Sequence, residues 1–153
     1  MENEILTLSL STQEQHTLRE LCLHVHSVSE SDCIRRAIEL YADLHKRVVA
    51  GSKIVLRNNA KRQQTGVVIT KRWSRDTMTS PDRQSPRQNF ELKIGGSTKE
   101  TITHMVQVGA VPSAARLAWA AIGTYVLIIE NTKQGFVLME KKGGQLTPIQ
   151  IPG

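Results

Sequence analysis

Residues 28–41 read VSESDCIRRAIELY and give the clearest structural signal in the chain. Ser29 is a favoured helix N-cap residue, and Asp32 follows it in what would be the first helical turn. Apolar residues then recur at helical spacing, at Cys33, Ile34, Ala37, Ile38, Tyr41, Leu44 and Val48. Gly51 stands where a left-handed residue commonly ends a helix. The pattern predicts an amphipathic helix of about five turns between Ser29 and Gly51.

A strand and a shorter helix are predicted upstream. Residues 5–11, ILTLSLS, alternate apolar with small polar residues, which is typical of a strand with one buried face. That buried face would consist of Leu6, Leu8 and Leu10. Residues 11–14, STQE, have the spacing of a capping box, which marks the start of a helix. The buried stripe of this helix would contain Leu18, Leu21, Cys22 and Val25.

A hairpin and a linker are predicted downstream. Residues 53–57 and 66–70 have the composition of short strands, and they flank the polar loop 58–65. Residues 71–87 combine basic residues with Pro and Ser and contain little apolar matter, so we expect a linker there.

The pattern of the first part of the chain recurs after this linker. A shift of 84 positions places Tyr41 on Tyr125 and Gly51 on Gly135 without a gap. The strand residues Leu6, Leu8 and Leu10 then correspond to Phe90, Leu92 and Ile94. Few residues are identical, so the repeat is one of pattern.

Two units of similar organisation follow from this recurrence. A second hairpin is predicted with strands at 136–139 and 146–151 around a turn at 141–144. We therefore divide the chain into a first unit, residues 1–70, the basic linker 71–87, and a second, divergent unit, residues 88–153.

Composition restricts the classes of partner. The chain has 153 residues, a formal net charge of +6 and only 4% aromatic residues. Such a charge attracts polyanions, and so few aromatic residues imply an aliphatic core. The longest apolar stretch, residues 117–129, has about 13 residues where a membrane crossing needs about 20. We expect a cytoplasmic protein that does not contact a membrane.

Catalytic and metal-binding patterns are not apparent. His24 and His26 lie at a predicted helix end, and no cysteine or carboxylate cluster completes a tetrahedral metal site with them. Cys22 and Cys33 fall in apolar stripes, where cysteine commonly serves as a small core residue. We therefore expect no enzyme activity, no metal and no cofactor.

The order of strand, short helix, serine-bearing turn and longer helix resembles the ribbon-helix-helix family of bacterial DNA-binding proteins. Residues 28–41 are similar to the family pattern V-S-x-S-E-x-I-R-x-A-I-x-x-Y. The resemblance covers residues 4–50 well and residues 88–134 weakly. It implies a mainly helical α+β fold in which strands from two units pair into an antiparallel ribbon that enters the DNA major groove. The partner strand could come from a second chain or from residues 89–95 of the same chain, and the repeat favours such an intramolecular pseudo-dimer.

The resemblance also assigns base-facing positions on this ribbon. They are Thr7, Ser9, Asn89 and Lys93, and Ile5 and Glu91 would share their face. Base-reading strands usually carry Arg, Lys, Gln or Asn, so the short Thr7 and Ser9 depart from the family. Direct readout would therefore depend on Asn89 and Lys93, since Glu91 can accept a hydrogen bond only from a cytosine amino group.

Phosphate contacts are implied at the start of the longer helix in each unit, where free backbone amides bind anions. The residues concerned are Ser29, Ser31, Ser113 and Arg116. Helix capping alone explains Ser29 and Ser31 equally well. The linker cations could follow a phosphate backbone as a basic arm or simply be solvated; they are Lys71, Arg72, Arg75, Arg83 and Arg87.

Two functions are compatible with these features. The first is a nucleoid-associated DNA-binding protein, such as a transcriptional repressor or a plasmid or phage accessory factor, with double-stranded DNA as its partner. The second is an adaptor or assembly module that has lost base readout. It would associate with itself or with another protein through the apolar second half, residues 117–129.

Overall fold

The computed structural model describes residues 4–24, 29–67, 87–94 and 96–150. Within these ranges the fold is α+β, with four helices and two antiparallel sheets. The elements are β1 (Glu4–Ser11), α1 (Thr12–His24), α2 (Glu30–Val49), β2 (Lys53–Asn58), β3 (Gln63–Val67), β4 (Arg87–Ile94), α3 (Gly96–Gln107), α4 (Ala114–Lys133), β5 (Val137–Lys142) and β6 (Gln145–Pro148). We call residues 4–67 the first half and residues 87–150 the second half.

Helix α2 begins and ends as its sequence predicts. The Ser29 hydroxyl accepts a hydrogen bond from the Asp32 amide at 3.0 Å, which satisfies one of the amides left unpaired at a helix start. Gly51 has a φ of +105°, the left-handed conformation that glycine adopts without steric cost. The Gly51 amide donates to the Val48 carbonyl and the Ser52 amide donates to the Arg47 carbonyl. These two hydrogen bonds form the Schellman motif, which terminates a helix.

Helix α4 has the same two ends. Ser113 adopts the extended backbone of an N-cap and accepts from the Arg116 amide, and Gly135 has a φ of +95°. α2 begins at Glu30 and α4 at Ala114, a separation of 84 residues. Helices α1 and α3 begin with the same separation, and so do strands β2 and β5. The elements of the first half therefore recur at a fixed distance along the chain.

The first hairpin has longer strands and a shorter loop than the sequence predicts. β2 runs to Asn58 and β3 begins at Gln63, so the predicted loop 58–65 shrinks to residues 59–62. The Asn58 side chain is buried and accepts from the Lys61 amide at 3.1 Å, which holds the turn closed. The polar residues of β3 pair with β2 through backbone hydrogen bonds. Side-chain hydrophobicity does not reveal such pairing, so the sequence placed these residues in the loop. Residues 68–70, predicted as strand, lie outside the described ranges.

The second hairpin also departs from its prediction. The turn consists of Gly143 and Gly144 alone, with φ angles of 58° and 83°, as in a two-residue type I′ turn. Lys141 and Lys142 were predicted in the turn but belong to strand β5. The predicted turn at 141–144 was therefore two residues too long.

The two hairpins form a single sheet, which the sequence did not predict. β2 pairs antiparallel with β5, so the strand order is β3-β2-β5-β6. In this register Val55 lies opposite Met139 and Leu56 lies opposite Leu138. The central strand pair thus joins the first half to the second.

Strands β1 and β4 form the other sheet, a two-stranded antiparallel ribbon. In its register Leu6 lies opposite Leu92, and Leu8 opposite Phe90. β4 begins at Arg87 and so takes in the final residue of the predicted linker. The other linker residues lie outside the described ranges.

A single hydrophobic core draws on both halves. Its largest fully buried side chains include Leu18, Ile34, Leu44, Met105, Tyr125 and Leu138. Helix α4 packs on α2, and its residues Leu117 and Ile128 are fully buried. The chain therefore covers most of its own apolar stretch 117–129. Within the described ranges, no helix combines the length and the hydropathy that a bilayer crossing requires.

Candidate nucleic-acid interface

The β1–β4 ribbon brings the predicted base-facing positions together. Ser9 lies opposite Asn89 in the register, Thr7 opposite Glu91, and Ile5 opposite Lys93. These are the same six positions that the sequence assigns to one face. The sequence allowed a partner strand from a second chain or from the same chain, and here β4 of the same chain pairs antiparallel with β1.

The start of α2 carries more charge than a simple anion site. Glu30 forms an ion pair with Arg19 of α1 at 3.7 Å, and Asp32 contacts both Arg35 and Arg36. Two carboxylates at these positions would repel a phosphate near Ser29 and Ser31. Because each acid has a cationic partner, much of this repulsion is offset within the protein.

Asp32 also belongs to a polar cluster that connects the two halves, and the sequence gave no signal of it. The Asp32 side chain is buried, and Arg36 lies 3.1 Å from its Oδ2 atom. Burial raises the pKa of Tyr125 on α4 above its usual value, and a hydrogen bond with Arg36 opposes that rise. Asp32, Arg36 and Tyr125 therefore position the start of α2 against α4.

The start of α4 is the less acidic of the two helix ends. The Ser113 hydroxyl accepts from the Arg116 amide at 3.3 Å, as the N-cap prediction requires. The first turn of α4 contains no acidic residue, whereas that of α2 contains Glu30 and Asp32. The positive end of the α4 dipole is thus not neutralised by a carboxylate in its own first turn.

The remaining candidate residues divide into two groups. Arg87 lies opposite Ser11 at the end of the ribbon. Lys71, Arg72, Arg75 and Arg83 fall outside the described ranges, so their role stays a prediction.

Metal and thiol chemistry have little support in the described part of the chain. No group of three or more His, Cys, Asp or Glu residues is arranged there to hold a metal ion. Cys33 is fully buried, and burial together with the neighbouring Cys22 raises the pKa of its thiol. A thiol of this kind stays protonated near neutral pH and is a poor nucleophile.

A cleft of about 900 Å³ lies between α2 and α3. Its lining includes Ala42, Val49, Met105 and Val108, with His45 and His104 among the polar groups. The sequence gave no indication of this cleft, because its walls come from helices of different halves.

No family model, curated protein or solved structure matches this chain. The resemblance to ribbon-helix-helix proteins therefore rests on residues 28–41 and on the order of the elements.

Proposed function

We propose that this chain is a DNA-binding regulator that inserts the β1–β4 ribbon into the major groove. It would be a ribbon-helix-helix pair built from one polypeptide, an intramolecular pseudo-dimer. A two-stranded antiparallel ribbon has the dimensions to enter a groove of about 12 Å.

The observation that carries the proposal is the register of β1 on β4. Residues directly opposite one another in an antiparallel pair share a face of the sheet. Ser9 with Asn89, Thr7 with Glu91, and Ile5 with Lys93 therefore occupy one face, and Leu6 with Leu92 and Leu8 with Phe90 occupy the other. One polar face and one apolar face are what a ribbon needs to lie on a protein core and read DNA.

The symmetry of the pairing supports the same conclusion. Thr7 and Glu91 are 84 positions apart and lie opposite one another, and so do Val55 and Met139. Strands in which equivalent residues face each other are related by a two-fold axis, as in an isologous dimer. Each of the two strand pairs thus has the register that a two-fold relation between the halves would produce.

The contacts with DNA would be divided among named residues. Asn89 and Lys93 would reach base edges, since an amide or ammonium group can bond to purine N7 and its neighbouring group. The amides at the start of α4, with Ser113 and Arg116, would hold a phosphate and fix the orientation of the ribbon. Ser29 and Ser31 would mark the equivalent contact in the first half.

The adaptor hypothesis has less support. It depended on the apolar stretch 117–129 needing a partner, but Leu117, Tyr125 and Ile128 are fully buried within the chain. On α4, Leu127 is the large hydrophobic residue left substantially exposed, at 44%. This single side chain is a small surface for a protein partner.

Selection from a random duplex pool, followed by titration, tests the proposal. We expect a preferred site, and we expect Asn89→Ala combined with Lys93→Ala to weaken binding to that site about 30-fold or more, because each of the two base contacts would contribute about 1–3 kcal/mol. Lys133→Ala, an exposed lysine at the end of α4, serves as the control. An unchanged site preference in the double variant would contradict the ribbon assignment. Absence of DNA binding at low salt would contradict the function as a whole.

A further inference from the structure

The net charge of the protein is concentrated on the four-stranded sheet. The segments 53–67 and 137–148, which form this sheet and its turns, contain six Lys or Arg residues and a single acid, Glu140. Their formal charge is +5, out of +6 for the whole chain. The ribbon strands contain Arg87 and Lys93 against Glu4 and Glu91, and so carry no net charge.

Three of these cations lie on the outer face of the sheet. Ile54 and Leu56 of β2 are buried in the core, so the alternate positions Lys53, Val55 and Arg57 face the other way, with Val55 buried between the two cations. Lys141 of β5 lies directly opposite Lys53 and therefore shares this face. The turn after β2 adds the exposed Lys61 and Arg62.

The Lys53–Lys141 pair has a cost in the free protein. Like charges directly opposite one another across two strands are destabilising. Glu140 cannot relieve this pair, because it lies on the inner face, where it contacts Arg47 and Ser52. Among the described residues, no carboxylate forms an ion pair with any of the six sheet cations. An anionic partner would remove the repulsion.

We propose that the outer face of this sheet is a second DNA-binding surface, which holds the phosphate backbone of a duplex independently of the ribbon. The inference rests on the proposed function only in naming DNA as the polyanion. Proteins that bind single-stranded nucleic acid combine a basic groove with aromatic side chains on which the bases stack. The four strands of the sheet contain no aromatic residue, which favours backbone contacts with a duplex.

Binding at this face would be insensitive to sequence and strongly dependent on salt. The ribbon and the sheet are separate structures in the fold, and no strand belongs to both. One molecule would therefore have two DNA-binding surfaces, one that contacts base edges and one that contacts phosphates.

The test compares Lys53→Gln combined with Lys141→Gln against Lys46→Gln combined with Lys133→Gln. Both variants lose two positive charges, but the control removes exposed lysines from α2 and α4. Each is titrated with a random-sequence duplex at 50 and 200 mM salt. Because each phosphate contact contributes about 0.9 to the logarithmic salt slope, the sheet variant should lose about 1.8 from its slope. Between 50 and 200 mM salt, the factor by which its affinity falls would then be about ten times smaller than the factor for the unmodified protein.

The outcome is distinguishable from failure of the ribbon proposal. Loss of the sheet lysines should leave any site preference intact, whereas Asn89→Ala with Lys93→Ala should abolish that preference and leave the salt slope on random duplex unchanged. A sheet variant with the same slope as its control would overturn the inference. If the sheet variant lost binding to phosphatidylserine vesicles but bound DNA as its control does, the inference would be overturned in favour of a membrane surface.

Discussion

Gly51 and Gly135 end equivalent helices with nearly equal backbone angles, yet their surroundings differ. A Cβ atom at Gly51 would have no heavy atom within 4 Å, whereas one at Gly135 would lie 3.3 Å from the Asn58 Nδ2 atom. That Nδ2 donates to the Gln134 carbonyl at 3.2 Å, so Asn58 joins the turn after β2 to the end of α4. The second glycine is thus required by conformation and also by close packing.

The effect of alanine at these two glycines follows from that difference. Gly51→Ala should lower the free energy of unfolding by about 1 kcal/mol, since alanine disfavours a positive φ. Gly135→Ala should cost more, because Asn58 must also move. Gly123→Ala, at an exposed position inside α4 with open space around it, should instead stabilise the protein by about 0.5–1 kcal/mol. Urea unfolding measures the change in the free energy of unfolding for all three variants. Equal decreases for Gly51→Ala and Gly135→Ala would show that Asn58 imposes no constraint.

Among the elements, the four-stranded sheet is joined to α2 by the polar contacts of one carboxylate as well as by apolar packing. Glu140 of β5 accepts from Arg47 near the end of α2 at 2.7 Å and from the Ser52 hydroxyl. Hydrogen bonds from Ser52 and then from Arg47 lower the pKa of Glu140 below its ordinary value of 4.5. The interaction therefore stabilises the fold when Glu140 is ionised.

Removing this charge should produce a pH-dependent loss of stability. Because the folded pKa is lowered, the contribution is complete above pH 4.5 and disappears as the pH falls through the folded value. Glu140→Gln should lower the free energy of unfolding by about 1 kcal/mol at pH 7. This is the value of a charge-assisted hydrogen bond reduced by partial solvent screening. The difference from the unmodified protein should shrink below pH 4.5. Glu39→Gln, an exposed residue of α2, is the control, and a constant difference across this pH range would exclude the proposed role.

The sequence predicted elements better than it predicted how they pair. Ser29, Ser113 and Gly51 marked helix ends correctly, because capping depends on neighbouring residues alone. The pairing of β2 with β5 was missed, since backbone bonds between distant strands leave no local pattern. The contact of Glu140 with Arg47 was missed for the same reason, since the two residues are far apart in the chain. The ion pair of Asp32 with Arg36 is local, but the sequence does not reveal that Asp32 is buried. The register positions of Thr7, Ser9, Asn89 and Lys93 follow from strand alternation, which is local, and their contact with bases stays a prediction. The cationic face of the sheet, by contrast, required the hairpin boundaries.

At the scale of the whole molecule, each half is completed by the other. The ribbon, the four-stranded sheet and the α2–α4 contact all pair an element of the first half with one of the second. The core likewise contains buried residues from both, among them Leu18 and Met105. We therefore expect the halves to unfold together.

The corresponding prediction concerns cooperativity and concentration. Thermal unfolding should show one transition, followed equally by circular dichroism and by tryptophan fluorescence, with a Tm independent of protein concentration. Sedimentation equilibrium should give a mass of about 17.1 kDa. A Tm that rises with concentration would show that a second chain supplies part of the folded unit.

The ribbon register has a consequence for the kind of operator that the protein would recognise. A homodimer presents identical residues at equivalent positions, so it favours a palindromic site. Here the residues equivalent to Thr7 and Ser9 in the second strand are Glu91 and Lys93, because both strands belong to one chain and have diverged. If the ribbon reads bases, its two half-sites need not be inverted copies, and a search for its target should not assume dyad symmetry in the DNA.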